Sequence, residues 1–247
     1  MTDHVPTPAE VTSAMLLAAH GHLSLQVITT KAEEIEASWS NESYIPSPAE
    51  VHCASSLAAH GHLPRQVITN KAAKIASRQS MSSCSLSKLQ CAAALATLGH
   101  ITQVSLRLSS LRLYNLDISL VPAEDLVSLV KCQRSGPVSI NGVTGDLNPV
   151  ISSVQCCVLL ISNTSLSTSD TQQLVAAMDT RVKKVHMGDG VTLDMDTLAQ
   201  YAGEGKCGEV TMRGMRYRNQ LKVWAGNMGW QIEETSDEIF NIKRKEN

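Results

Sequence analysis

The sequence predicts an α/β fold: a strand–helix repeat solenoid with a parallel sheet on one face and helices on the other. Short apolar triplets with the alternation of β-strands recur along residues 111–212, and their starts lie 27, 20, 27 and 25 residues apart. A helix-like segment separates each triplet from the next, and one strand and one helix per unit is typical of stacked repeats. The triplets begin at Leu111, Val138, Val158, Val185 and Val210.

A plainer duplication occupies residues 1–86, where two 40-residue copies follow each other and a degenerate third copy starts afterwards. The segment Leu17–Leu23 recurs unchanged as Leu57–Leu63. Each copy opens with a hydroxyl residue, a proline and, three places on, a glutamate, the composition of a helix capping box. We therefore predict helices from Pro8 to Ala19 and from Pro48 to Ala59, each ended by a left-handed glycine.

The segments that follow these glycines are rich in β-branched residues. Leu23–Thr29 and Leu63–Thr69 are accordingly predicted to be strands. The two copies would then be longer helix–strand units of the kind seen later in the chain. A polar, serine-rich stretch near residues 78–87 suggests a division into residues 1–86 and residues 87–247.

In the second part, apolar and polar residues alternate in both Val104–Leu108 and Leu111–Leu113, and either could be the first strand of the repeat. Val158–Ile161 is apolar at every position, which predicts a central strand covered on both faces. Ile239–Ile242 is predicted to be a closing strand. The aromatic residues Trp224, Trp230 and Phe240 are expected to cap the carboxyl-terminal end of the stack.

Composition indicates a globular protein, because 43% of the residues are hydrophobic and 18% are charged. A net charge of −2 favours neither nucleic acid nor a membrane surface as a partner. The sequence shows no secretory signal and no apolar run near the roughly 20 residues of a membrane span. Seven cysteines without CxxC spacing indicate buried thiols in a reducing compartment, which predicts a cytoplasmic location. No cofactor is predicted.

The recurring pieces resemble the leucine-rich-repeat family in its ribonuclease-inhibitor-like form, compared with the pattern L-x-x-L-x-L-x-x-N/C-x-L. The asparagine that ties the family's turn is matched only by Asn163. The matching pieces are Leu111–Leu113, Val138–Ile140, Val158–Leu160, Val182–Met187 and Val210–Met212, while Leu116, Val143, Gly190 and Met215 stand at the corresponding turn places. The chain also resembles the repeat arm of intracellular nucleotide-binding sensors, although it has no Walker-type G-x-x-x-x-G-K-[ST] motif.

The resemblance implies a non-enzymatic scaffold that binds another protein on the concave face of its sheet, as in the ligand-sensing arm of an innate-immune-type sensor. Residues beside the apolar strand positions would supply that face, and an ordinary solvated sheet surface is the alternative. Tyr and Arg are enriched in interface hot spots. The candidate binding residues are Arg112, Tyr114, Ser139, Asn141, His186, Thr211 and Arg213.

Paired histidines are the sharpest chemical feature of the sequence. His20 and His22 flank one glycine, and His60 and His62 flank the next. Four imidazoles brought together by stacking could bind zinc or copper, so the alternative hypothesis is a compact α/β domain that binds a metal. Histidines at the exit of a helix are more simply polar caps.

Two other groups of reactive residues favour structural roles. Asp189, Asp194 and Asp196 lack the spacing of a calcium loop, which favours turn and cap roles. Cys156 and Cys157 flank an apolar strand, which favours buried thiols over a cysteine–histidine nucleophile formed with His186.

Overall fold

Two helical hairpins form the amino-terminal part of the protein. The computed structural model describes residues 5–77, 85–102, 110–134, 136–200, 207–213, 218–236 and 239–244. The first hairpin is α1 (Pro8–Ala19) with α2 (Leu25–Ser40), and the second is α3 (Pro48–Ala59) with α4 (Arg65–Ile75). Both predicted capping boxes are present, and the glycines that end α1 and α3 have φ angles of +74° and +80°.

The strands predicted at Leu23–Thr29 and Leu63–Thr69 are wrong, because these residues begin helices α2 and α4. The β-branched run is too short to distinguish a strand from a helix. Its apolar positions continue down one side of a helix, with Ile28, Ala32, Ile35 and Trp39 buried in the first copy, and that spacing has the helical period. The copies are therefore helix–turn–helix units rather than helix–strand units.

Helix α5 (Leu86–Thr97) is the third copy, and it packs against α3 on one side and α6 on the other. The division of the chain at residue 86 stays a prediction. The predicted strand Val104–Leu108 lies outside the described residues. The further helices are α6 (Ala123–Cys132), α7 (Asn148–Ser153), α8 (Thr168–Thr180), α9 (Met195–Gln200) and α10 (Arg218–Asn227), with a 3₁₀ turn at Ile118–Leu120.

Seven strands form one open, mostly parallel sheet in the order β1-β2-β3-β4-β5-β7-β6. The first five strands are parallel, and β7 and β6 are added to β5 as an antiparallel hairpin. The predicted α/β class and the closing strand are thus confirmed, while β6 was missed. The strands are β1 (Leu111–Tyr114), β2 (Val138–Asn141), β3 (Val158–Ser162), β4 (Lys184–Met187), β5 (Glu209–Arg213), β6 (Trp230–Ser236) and β7 (Ile239–Arg244).

The register of β3 differs by one residue from the prediction. Val138 pairs with Leu159, so Leu159 and Ile161 point to the helices and are buried, while Val158 and Leu160 lie half-buried on the other face. The prediction that β3 is covered on both faces is therefore wrong. The buried strand positions 111, 138, 159, 185 and 210 are 27, 21, 26 and 25 residues apart.

Consecutive helices pack side by side along the chain, from α1 through α3, α5, α6, α7, α8 and α9 to α10. One hydrophobic core runs through both hairpins and under the sheet. The rings of Trp224 and Trp230 lie 5.6 Å apart, and Phe240 is buried in the same core, while their predicted role as the cap of a repeat stack stays a prediction. Among the described residues, no helix combines the length and the apolar character needed to cross a membrane.

Candidate functional site

The candidate site is the face of the sheet turned away from the helices, called the open face below. Strand alternation places every second residue on this face, and the register aligns these residues from strand to strand. Its middle row runs across the whole sheet with one residue per strand. That row is Arg112, Ser139, Leu160, His186, Thr211, Asn241 and Glu233.

A column of left-handed residues follows the first four parallel strands and holds their turns in register. Asn115 and Asn163 have φ angles of +51° and +47°, and Gly142 and Gly190 have φ angles of +62° and +69°. Glycine and asparagine tolerate this conformation best. Backbone N–H groups link successive turns: Asn115 donates to Asn141 at 2.8 Å, and Gly142 donates to Ser162 at 3.1 Å.

This column corrects the comparison of Asn163 with the family's turn asparagine. Asn163 stands next to Gly142 and is therefore equivalent to Asn115. This place lies one residue before the turn position that Leu116 and Val143 occupy. The place that follows is buried in four consecutive units and is occupied by Leu116, Val143, Thr164 and Val191. The one-residue shift of β3 explains the difference, because Asn163 was counted from Val158 instead of Leu159.

A depression of about 240 Å³ lies near the middle of the open face. Leu160 supplies an apolar side chain on this face. Beside it, the imidazole of His186 and the hydroxyl of Thr211 offer hydrogen-bonding groups, and Thr211 already donates to Oδ1 of Asn241 at 3.0 Å. The lining residues on the open face are Leu160, Ser162, His186, Gly188, Thr211 and Arg213.

The charges on the open face are partly paired. Lys184 donates to Glu209 at 2.7 Å, and this hydrogen bond lowers the pKa of the Glu209 carboxyl. Lys243 lies 3.2 Å from Glu233. Arg213 lies 3.9 Å from Asp189 at the rim, with about half of its side chain exposed. The aligned rows thus hold four Lys or Arg side chains, Arg112 being the fourth, against two Glu side chains.

The register brings all seven predicted binding residues to this one face. Arg112, Tyr114 and Arg213 are exposed there. Ser139 is buried, with 4% of its surface exposed, because Arg112 and Leu160 flank it on the neighbouring strands. The remaining three, Asn141, His186 and Thr211, are half-buried. Their role in binding stays a prediction.

Sequence reasoning missed several residues of the open face. The triplet that begins at Val158 predicts Leu160 on the buried side of the strand. Glu233 was missed because β6 was not recognised, although Trp230 and Ile232 alternate with polar residues in a way that indicates a strand. Asn241 lies on the predicted closing strand β7, whose pairing with β5 the sequence does not show. Lys184 and Glu209 stand one place before the triplets that were compared.

The paired histidines occupy the turns after α1 and α3. His20, His22 and His60 are exposed and His62 is half-buried, and His20 and His60 are the C-cap residues of their helices. Within the described ranges, no three His, Cys, Asp or Glu side chains come together in a way that could hold a metal ion. The four imidazoles therefore do not converge as the metal hypothesis requires, and the predicted role as helix-exit residues agrees with their positions.

The third copy keeps one of these histidines in a different environment. Nε2 of His100 lies 2.9 Å from the Ser55 hydroxyl of the second copy. Burial lowers the pKa of His100, and the nearby charge of Arg65 lowers it further. This imidazole links two helices and is uncharged more readily than a free histidine.

Two of the remaining candidates, Asp194 and Cys156, have structural roles. Asp194 accepts hydrogen bonds from the Asp196 and Thr197 backbone N–H groups at the start of α9, which confirms its cap role. Its hydrogen bond from the Thr197 side chain lowers the pKa of the Asp194 carboxyl. Cys156 is buried as predicted, and burial raises the pKa of its thiol. The prediction that Cys157 is buried is wrong, because this residue precedes β3 and its side chain is exposed.

Comparison of the chain with protein-family models, curated proteins and solved structures found no match.

Proposed function

We propose that this protein is a non-enzymatic recognition scaffold, a leucine-rich-repeat-like solenoid that binds a partner protein on its open sheet face. The aligned middle row supports the proposal most directly. It carries side chains from all seven strands on one continuous surface, and three of the predicted binding residues on the face are well exposed.

The chemistry of the open face suggests what the partner offers. Leu160 and the depression beside it suit one apolar side chain, and central apolar anchors surrounded by polar groups are common in protein interfaces. Arg112 and Arg213 lie on opposite sides of this centre and suit carboxylates. The expected partner segment therefore presents an apolar residue between acidic ones.

The proposal extends to the biological setting that the resemblance implies. A repeat arm of this kind would be the ligand-sensing part of an innate-immune-type sensor, and it would act by binding rather than by catalysis. The low aromatic content, 3% of residues, leaves Tyr114 as the aromatic side chain exposed on the open face in the described part of the chain.

Site-specific photo-crosslinking tests the proposal. A photoreactive phenylalanine analogue is placed at Tyr114, which is 40% exposed on the open face, and as a matched control at Leu120, which is 58% exposed outside it. In cells, the Tyr114 position should capture a discrete partner that the Leu120 position does not. The substitutions Leu160→Ala and Arg213→Ala should weaken that adduct. Equal capture at both positions would contradict the proposal.

A further inference from the structure

The amino-terminal edge of the first hairpin exposes a surface that its internal copy uses as an interface. We define this hairpin edge by Leu17, Leu23, Val27 and Lys31. Leu17 is 48% exposed and Val27 is 56% exposed, although both are aliphatic.

The duplication provides a direct comparison, because the second copy has the same residues 40 positions later. Leu57, the counterpart of Leu17, is 2% exposed, and Leu63, the counterpart of Leu23, is also 2% exposed. The helices that precede the second copy are α1 and α2, and they pack against α3 and α4. Leu57 and Leu63 are therefore buried because α1 and α2 cover them, and Leu17 and Leu23 are more exposed because no described helix covers them in the same way.

The isoleucines of the first copy are packed as tightly as those of the second, so the exposed edge is not a sign of loose folding. Ile28 and Ile68 are 5% and 0% exposed, and Ile35 and Ile75 are 3% and 5% exposed. These residues face the inside of the hairpins or the next unit. Among these described residues, the copies differ on the side that α1 and α2 cover in the second copy.

The two equivalent lysines show the polar part of this interface. Nζ of Lys71 is buried and donates to the carbonyls of Trp39 and Asn41, at 3.2 and 2.8 Å, where α2 of the preceding hairpin ends. Lys31 occupies the same position in the first copy and instead pairs with Glu34 at 3.0 Å, with 32% of its side chain exposed. A lysine that satisfies the last carbonyls of a helix is a common C-terminal interaction.

Sequence differences between the copies make the surface of the first hairpin more apolar than that of the second. Leu16 and Leu25 replace Ser56 and Arg65 of the second copy, and they are 59% and 57% exposed. Exposed apolar residues that cluster in this way mark interaction sites more often than free surface.

We propose that the hairpin edge binds an α-helical hairpin of a partner protein. The partner hairpin would place an aliphatic face on Leu17, Leu23 and Val27. The carbonyl end of its second helix would accept hydrogen bonds from Lys31, as the end of α2 does from Lys71. This surface is separate from the open face and would engage its partner independently of it.

A peptide of residues 5–44 is a suitable probe, because this hairpin packs on the equivalent surface within the chain. Labelled peptide is titrated with the full chain and binding is followed by fluorescence anisotropy. Saturable binding is expected. Leu17→Glu should weaken it at least tenfold, and Lys31→Gln should weaken it at least fivefold, because it removes an ammonium group that donates to two carbonyls. The control Leu120→Glu, at a 58% exposed leucine elsewhere, should leave binding unchanged.

A second arm keeps the test valid if the isolated peptide does not fold. The same 5–44 unit is joined ahead of residue 5 through the natural inter-copy linker, which raises its effective concentration to the millimolar range. Leu17→Glu in the original first hairpin, which the added unit would cover, should then lower the melting temperature of the extended chain. The same substitution should leave the melting temperature of the parent chain unchanged. No binding in the first arm together with no effect of Leu17→Glu in the second would overturn the proposal.

Sedimentation of the parent chain separates the remaining alternative. A dimer that dissociates on Leu17→Glu would show that a second copy covers the edge, and this would also overturn the proposal. Substitutions at Tyr114 on the open face should leave hairpin binding unchanged, so failure of the open-face proposal and failure of this one are distinguishable.

Discussion

Three glycine-to-alanine substitutions should destabilise the protein in a fixed order set by what an added Cβ meets. At Gly61, with φ at +80°, a Cβ would meet nothing within 4 Å. The cost there is the left-handed backbone alone, about 1–2 kcal/mol. At Gly145, with φ at +103°, a Cβ would lie 2.9 Å from the backbone nitrogen of Ser119. Overpacking adds about 1–3 kcal/mol, so Gly145→Ala should cost about 2–5 kcal/mol.

Gly142 should fall between these two. A Cβ at Gly142 would lie 2.3 Å from Oδ1 of Asn115, which is the end of a side chain that can rotate away. Gly142→Ala should therefore lower the free energy of unfolding more than Gly61→Ala does, but less than Gly145→Ala does. Adding Asn115→Gly removes the obstructing atom and keeps a residue that accepts the φ of +51° at this position. The double variant should return to the loss measured for Gly61→Ala.

Urea denaturation measures all four variants, with the free energy of unfolding compared at an unchanged m-value. Comparison of Gly61→Ala with the wild-type chain gives the cost of the left-handed backbone. Comparison of the other variants with Gly61→Ala gives the cost of the clash. If Gly145→Ala costs no more than Gly61→Ala, then the turns of neighbouring units are not stacked as closely as described. If Asn115→Gly does not recover stability in the Gly142→Ala background, the column of left-handed residues is not in contact.

Three further outcomes are expected. Leu159→Ala should cost about 2–5 kcal/mol by urea denaturation because Leu159 is buried, whereas Leu160→Ala should cost under about 1 kcal/mol, and equal losses would contradict the register of β3. Lys71→Met should cost about 1–3 kcal/mol by leaving two carbonyls without a donor, while Lys31→Met, an exposed pair, should cost at most about 1 kcal/mol. Burial raises the pKa of Cys91 to about 12, so the thiol loses its proton at a lower pH in the unfolded chain than in the folded one, and the free energy of unfolding should fall as the pH rises from about 9 toward 12. Cys91→Ala should reduce this slope by up to about 1.4 kcal/mol per pH unit, measured by thermal melting at each pH. An unchanged slope would contradict the buried thiol.

Features with short-range signals could be predicted from the sequence. Capping boxes place the starts of α1 and α3 because the hydroxyl and the glutamate satisfy backbone groups only a few residues away. The α2 and α4 segments could not be settled by the local β-branched composition, since the helical burial of Ile28, Ala32 and Ile35 becomes clear only over a longer window. Propensity was overridden by the packing of one hairpin on the next.

The candidate site depended on information of longer range. Alternation within each strand predicted the residues of the open face on β1, β2, β4 and β5. It could not predict Leu160, because an entirely apolar strand has no alternation and its register is set by its neighbours. Alternation also could not predict that Asn241 and Glu233 join the same row. Their place depends on the β6–β7 hairpin pairing antiparallel with β5, which is a contact between distant parts of the chain.

The change from helices to strands in the second layer has a geometric consequence for binding. Packed helices lie about 8–10 Å apart, whereas neighbouring strands lie about 4.8 Å apart. In the hairpins both layers are helical, so the two spacings match. From β1 onward the helix layer, α6 to α10, continues beside a sheet with half its spacing. Two joined layers with different spacings must bend toward the shorter one, so we expect the open face to be concave along β1 to β5. That curvature would direct Arg112 and Arg213 toward one bound segment, the arrangement that the proposed acidic and apolar partner requires.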